Sequence, residues 1–432
     1  MVTTTAAETE IALQRMVTIY IVTGLLFLVL PGTFLGVWNL VSISGRHSLA
    51  GLSPAWLQAH GHAQIFGWIG TFVIGIGYYS LSKMGGLMPV AVSRAWTSWV
   101  LWTAGVSLRW AANVTEFQWR FLLPLSAALQ LIAFLIFFAI VNRHKARPAS
   151  TKRPPIETWM KLVIAATVAF LFALLVNQVE TLVLAATATH PEIPHWLDQR
   201  YLFLAAWGFP VLAVWGFNAR WLPVFLGLRE PSSGGLMAAL TASVGGLSAA
   251  ALGQFQAATL LLLVASILAT VGLSVFRRPL KPAKTLGVSP SFPAFVRGAY
   301  VWLFVAAALG VYAAQADTHG GAWGASRHAL TVGFLSTMVF AIGQRVLPAF
   351  CGMRLLYSKG LMCASLAILN LGCLLRVASE VPAYEANLRM AWRILPVSAV
   401  TELTAVTLFA LNLGITLILA PPTPAVTRRS AA

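Results

Sequence analysis

An all-α membrane fold of about twelve transmembrane helices, arranged as three pseudo-repeated four-helix units, is what this sequence predicts, and three observations predict it. Of 432 residues, 58% are hydrophobic and only 9% charged, and mean hydropathy is +0.79, which rules out an ordinary soluble globule. Apolar stretches of about 20 residues, long enough to cross the hydrocarbon core as helices, recur along the whole chain. One stretch of the second span returns in the tenth and, in part, in the sixth.

In chain order the spans are expected near 17–40, 57–81, 93–112, 121–142, 159–187, 199–221, 234–252, 255–276, 294–314, 326–348, 360–378 and 394–420. The breaks between them carry the charge. Arg46 and His47 follow the first span, Lys83 the second and Glu116 the third, and the basic stretch 143–153 follows the fourth. His190, Glu192, His195 and Asp198 precede the sixth, Arg229 follows it, and a second basic stretch, 277–284, follows the eighth. Asp317 and His319 precede the tenth, Arg354 and Lys359 follow it, and Glu380 and Glu385 separate the last two.

A formal charge of +17 would suit nucleic acid, but the basic residues gather in the loops of one side. The positive-inside rule accounts for them and puts both termini in the cytoplasm of a bacterial inner-membrane protein. No nucleic-acid partner is expected; membrane lipid is. Residues 1–14 carry Glu8 and Glu10 and lack a basic start with a short apolar core, so no cleaved signal peptide is expected. The expected organisation is a cytoplasmic tail at 1–15, one transmembrane domain at 16–420 with repeat units 16–142, 157–276 and 293–420, and a tail at 421–432. Cys351, Cys363 and Cys373 have no metal-type spacing and read as packing residues.

The repeat supports the three-unit division. At an offset of 266, His62 aligns with His328, Gly67 with Gly333, Thr71 with Thr337 and Gly77 with Gly343. At an offset of 125, Gly208 aligns with Gly333, Arg220 with Arg345 and Pro223 with Pro348, and Phe203 stands where the other copies have histidine. Internal symmetry of this kind is common in membrane proteins. Arg220 and Arg345 read as anchors that end their spans.

Histidine in a span costs free energy that coordination repays. His62 and His328, paired by the repeat, are the first candidates to hold a haem iron or another metal. His60 lies about 200° around the helix from His62, so the two do not share a centre unless the first turn is irregular; His60 is the candidate for copper. Glycines at 67, 70, 75 and 77 admit a porphyrin or a close neighbouring helix. Arg109, Glu180, Arg327, Arg376 and Glu402 lie in or at the ends of spans, where they pair with one another or, as expected of Arg327, with haem carboxylates. His195 and His319 are weaker metal candidates, read first as loop residues.

At these residues the chain resembles the NnrS family of membrane proteins. His60-Gly-His62-Ala-Gln-Ile-Phe-Gly67, His328-Ala-Leu-Thr-Val-Gly333 with Thr337-Met338 and Arg345, and Arg220-Trp-Leu-Pro223-Val-Phe225 match its motifs. The resemblance implies haem, expected as b type, a copper site, and a role with nitric oxide or another small gas in nitrosative stress. Where family members carry a Gly-His-Thr-Gly-Arg stretch after the tenth-span arginine, this chain has Val346 to Arg354 without histidine. The second span also resembles the catalytic subunit of haem-copper oxidases and nitric-oxide reductases, whose twelve helices form three arcs of four. With Phe203 in span six, no histidine from Ser232 to Gly253 and only His328 in span ten, two haems and a copper cannot be assembled, and oxygen reduction is not expected. Two other readings stay open: a divergent redox subunit served by an electron-donor protein, and a transporter without haem that depends on Glu180 or Glu402.

Overall fold

The computed structural model describes residues 6–48, 51–83, 90–143, 155–352 and 354–419. The tail expected at 421–432 and nearly all of the basic stretch 143–153 lie outside the described residues; of the tail expected at 1–15, residues 6–15 are described and are already helical, the beginning of the first helix. Among those described, twelve long helices follow one another: α1 (residues 6–46), α2 (54–82), α3 (Val92–Thr115), α4 (Trp119–Val141), α5 (Thr158–Thr187), α6 (His195–Leu226), α7 (Ser233–Ala251), α8 (Phe255–Gly272), α9 (Phe292–Ala316), α10 (Gly321–Phe350), α11 (Lys359–Ala386) and α12 (Arg389–Ile418). Ten are long and apolar enough to cross a membrane; α2 and α3 are more polar, with His60, His62 and Gln64 in one and Arg94 and Arg109 in the other. The protein is an all-α, multi-pass membrane protein.

Each helix packs on the next, and α12 closes onto α1, so the outer helices make a ring. Inside it α2, α6 and α10 touch one another. Burial sorts them the same way: 78% of the most apolar window is buried in α6 and in α10, against 28–44% in α4, α5, α7, α8, α9, α11 and α12. The twelve helices form three pseudo-repeated units of four, the second helix of each turned inward. A cavity of ≈ 90 Å³ lies between the three inner helices, walled by Phe72, Val73, Phe217, Trp221, Met338 and Val346.

The inner helices share one irregularity. Ala63–Gly70, Leu204–Val211 and Ala329–Ser336 are π-helical, and these stretches coincide at the same offsets, 266 and 125, that align the sequence. Each begins one residue after the aligned position held by His62, Phe203 and His328. A π turn inserts a residue into the α ladder and often marks a functional position. Leu28–Phe34 of α1, with Pro31 inside it, is also π-helical and packs against the stretch in α2.

Helix ends run longer than the apolar spans. α11 continues to Ala386, eight residues beyond the expected 378, because Glu380 turns to His328 of α10 and Tyr384 to Trp392 of α12 instead of leaving the bundle. Gly67, Gly70 and Gly75 are met by Phe27 and Val106, by Trp102 and Phe170, and by Tyr20; of the two uses expected for these glycines, close helix packing is the one seen.

Candidate haem site between α2 and α10

His60 sits in the first turns of α2 beside the π stretch of α1. Its Nδ1 lies 2.9 Å from the Gly32 carbonyl. A carbonyl only accepts, so Nδ1 carries the proton and Nε2 is the bare nitrogen. The ring lies over Gly36, where a Cβ would stand 2.5 Å from Cε1; only glycine leaves it room. His328 repeats the arrangement on α10. Its Nδ1 donates to the Gly324 carbonyl at 2.9 Å and lies 3.2 Å from Oε2 of Glu380, so Nε2 is again bare. A carboxylate behind a histidine fixes the ring and strengthens the other nitrogen as a ligand. Gly324 admits Glu380, since a Cβ there would meet its carboxylate.

His60 is within electrostatic reach of His328 and of Arg376. Arg376 donates to Oε1 of Glu380 at 2.9 Å, while its Nε and Nη1 are buried without partners. Glu402 of α12 faces the same groups and has a buried, unpartnered oxygen. Two bare imidazole nitrogens on facing inner helices, with an orphaned guanidinium beside them, suit a haem iron and its carboxylates.

His62 points elsewhere. It is buried, stacks on Phe66 with ring centroids 4.6 Å apart, and lies 2.9 Å from Oε1 of Gln130 on α4. Gln130 donates its amide to the Ser126 carbonyl, so its oxygen faces the histidine and His62 is protonated at Nε2, the tautomer opposite to that of His60 and His328. The structure therefore brings His60, and not His62, into one neighbourhood with His328. Helical spacing already separates the two α2 histidines by about 200°, and the Gly32 carbonyl and the space over Gly36 hold the His60 ring where it lies.

Around His62 lies a second polar group. Arg109 of α3 and Glu180 of α5 are buried, as are Asn177 and Tyr201, and Arg109 donates to Asn177 at 3.4 Å. Arg327, the expected haem-carboxylate partner, donates instead to Gln199 of α6 and is near Asp198 and Glu380. It joins the two groups, so that Glu180, Arg109, Asp198, Arg327, Glu380, Arg376 and Glu402 form a band of alternating charge.

The remaining candidates do not converge. His195 opens α6 beside Asp198, His319 pairs with Glu385 at 3.3 Å, His190 lies 3.8 Å from Glu116, and His47 stacks on Trp392. Among the described residues no three His, Cys, Asp or Glu side chains gather as a metal site, and His60, His195 and His319 each have different partners. Phe203, standing where the repeat has histidine, packs with Phe255 and Trp323, both 5.8 Å away. Cys351 and Cys373 are buried and Cys363 is partly so, all free thiols. Glu380, read as a loop acid, and Gln130 went unrecognised in sequence; the Arg376–Glu380 spacing of i to i+4 was the available signal for the first.

No curated protein sequence matches the chain. Among solved structures, it is similar to a haem-copper terminal oxidase dimer determined by cryo-EM, with a TM-score of 0.65 at 14% identity over 95% of this chain and 85% of that one. That likeness is one of fold. By its match over residues 106–413, the chain belongs to the family described as Domain of unknown function (DUF8744).

Proposed function

We propose that this chain is a haem protein of the bacterial cytoplasmic membrane, holding one b-type haem between His60 of α2 and His328 of α10 near the periplasmic face and acting in the nitric oxide response. The observation that carries the reading is the matched pair of tautomers: each ring is tied through Nδ1 to a backbone carbonyl and leaves Nε2 bare. Bound there, haem would supply a one-electron centre and a position for a diatomic gas. Gly32 and Gly324 orient the rings, Glu380 strengthens His328, and Arg376 takes a carboxylate. The absence of a Cys-x-x-Cys-His stretch supports non-covalent haem, and the likeness in fold to a haem-copper terminal oxidase is in keeping with a haem protein. Nitric oxide enters through the resemblance of the His60–Gly67 and His328–Gly333 motifs to the NnrS family, and an electron-donor protein is the implied partner.

The test is the absorption spectrum of detergent-purified protein, oxidised, reduced, and reduced with nitric oxide. A Soret band that moves on adding the gas is expected. Protein that folds but stays colourless after expression with ample haem would remove the haem reading, and a reduced spectrum indifferent to nitric oxide would remove the gas while leaving electron transfer.

A further inference from the structure

The buried polar group beside His62 has no part in the haem reading, yet its composition is unusual for a packed membrane interior. Both carboxylate oxygens of Glu180 are buried without a hydrogen-bond partner, and so are Nε of Arg109, Nδ2 of Asn177 and the hydroxyl of Tyr201. Glu180 is 5% exposed and Arg109 2%. Burying such groups unsatisfied is costly, most of all for the charged ones, and a direct Arg–Glu contact would have been the simplest relief. None forms.

What would satisfy these atoms can be read from their chemistry. Arg109 and Asn177 offer donors, Glu180 offers acceptors, and Tyr201 offers either. An anion would be repelled by Glu180 and Asp198, and a metal cation by Arg109 and Arg327. The ligand that both donates and accepts and carries little charge of its own is water with an exchangeable proton. The charged and titratable groups around Glu180 come from every neighbouring element: Arg109 from α3, Asp198, Tyr201 and His195 from α6, Arg327 from α10 and His62 from α2. α7 has none, and α4 adds Gln130 and, at the rim, Arg120.

The 188–194 segment is pinned to α2, α3 and α4 at the ends next to this group, by Arg120 on the Ala188 carbonyl (2.9 Å), Asn113 on the Pro191 carbonyl (2.9 Å) and Gln58, which both donates to and accepts from the backbone of Ile193. Ile193 is buried among Ala112, Trp119, Leu123 and Leu184. We propose that Glu180, Arg109, Asn177 and Tyr201 form a buried proton-binding site, with Glu180 as the group that gains and loses the proton through bridging water.

Infrared difference spectra between acid and alkaline buffer test this on the full-length protein without reference to haem. Wild type should show a protonated-carboxyl C=O band that shifts in heavy water, and Glu180→Gln should remove it, while Glu192→Gln in the loop leaves it in place. Glu180→Asp, a second and conservative variant, should move the band without abolishing it. A wild-type spectrum with no such band, a band that survives in Glu180→Gln, or one unmoved in Glu180→Asp would overturn the proposal.

Discussion

An alanine at position 36 would set its methyl carbon 2.5 Å from Cε1 of His60, and the ring, tied to Gly32, has no slack to yield. Gly36→Ala is therefore expected to cost haem binding at least tenfold, measured by haem titration, while leaving the helices folded; unchanged affinity would show that His60 is not held as described. Glu380 is the complementary case. Glu380→Gln keeps the shape but strips the buried Arg376 of its partner, a loss of about 3–5 kcal/mol for a broken buried pair, visible as a lower unfolding midpoint in detergent. At the opposite end of α10, burial pushes the Cys351 thiol up to about 11, so it should react with maleimide at neutral pH more slowly than the partly buried Cys363. Sequence alone marked both histidines of α2 but favoured His62, because the repeat pairs His62 with His328; tautomer and direction depend on Gly32, Gly36 and Gln130, which lie 28, 24 and 68 positions away from their partners.

The twelve helices were legible as apolar spans, since span length is set by bilayer thickness and composition. Their ends were less so: Glu380 and Tyr384 look like loop residues until packing shows them turned inward. The π turns carried no recognisable signal, because they reflect how neighbouring helices satisfy the backbone and not any residue's own preference. Their function is nonetheless testable. Deleting Val332 would convert the stretch in α10 to α-helix and rotate His328 by about 100° relative to the lower half of the helix. Haem should be lost from that variant with little change in helix content by circular dichroism; full retention would mean that the π turn does not set the direction of His328.

Across the whole molecule, the internal repeat marked α2, α6 and α10 as equivalent helices, but their place inside the bundle appears only from the packing and the burial of α6 and α10. What could not be read was the band of charge from Glu180 to Glu402, since its members come from α3, α5, α6, α10, α11 and α12 and meet only in three dimensions. On the proposed orientation, reporter fusions placed after 143–153 should read cytoplasmic and those at Glu192 periplasmic; the reverse would invert the topology and move the haem site to the cytoplasmic side.

The central claim is that His60 and His328, and not His62, hold one haem. Haem per chain and the reduced spectrum should be measured side by side for His60→Ala, His62→Ala and His328→Ala. The first and third should lose haem or change its reduced spectrum while the second keeps both at the wild-type level of one haem per chain; loss in His62→Ala with retention in His60→Ala would contradict this assignment.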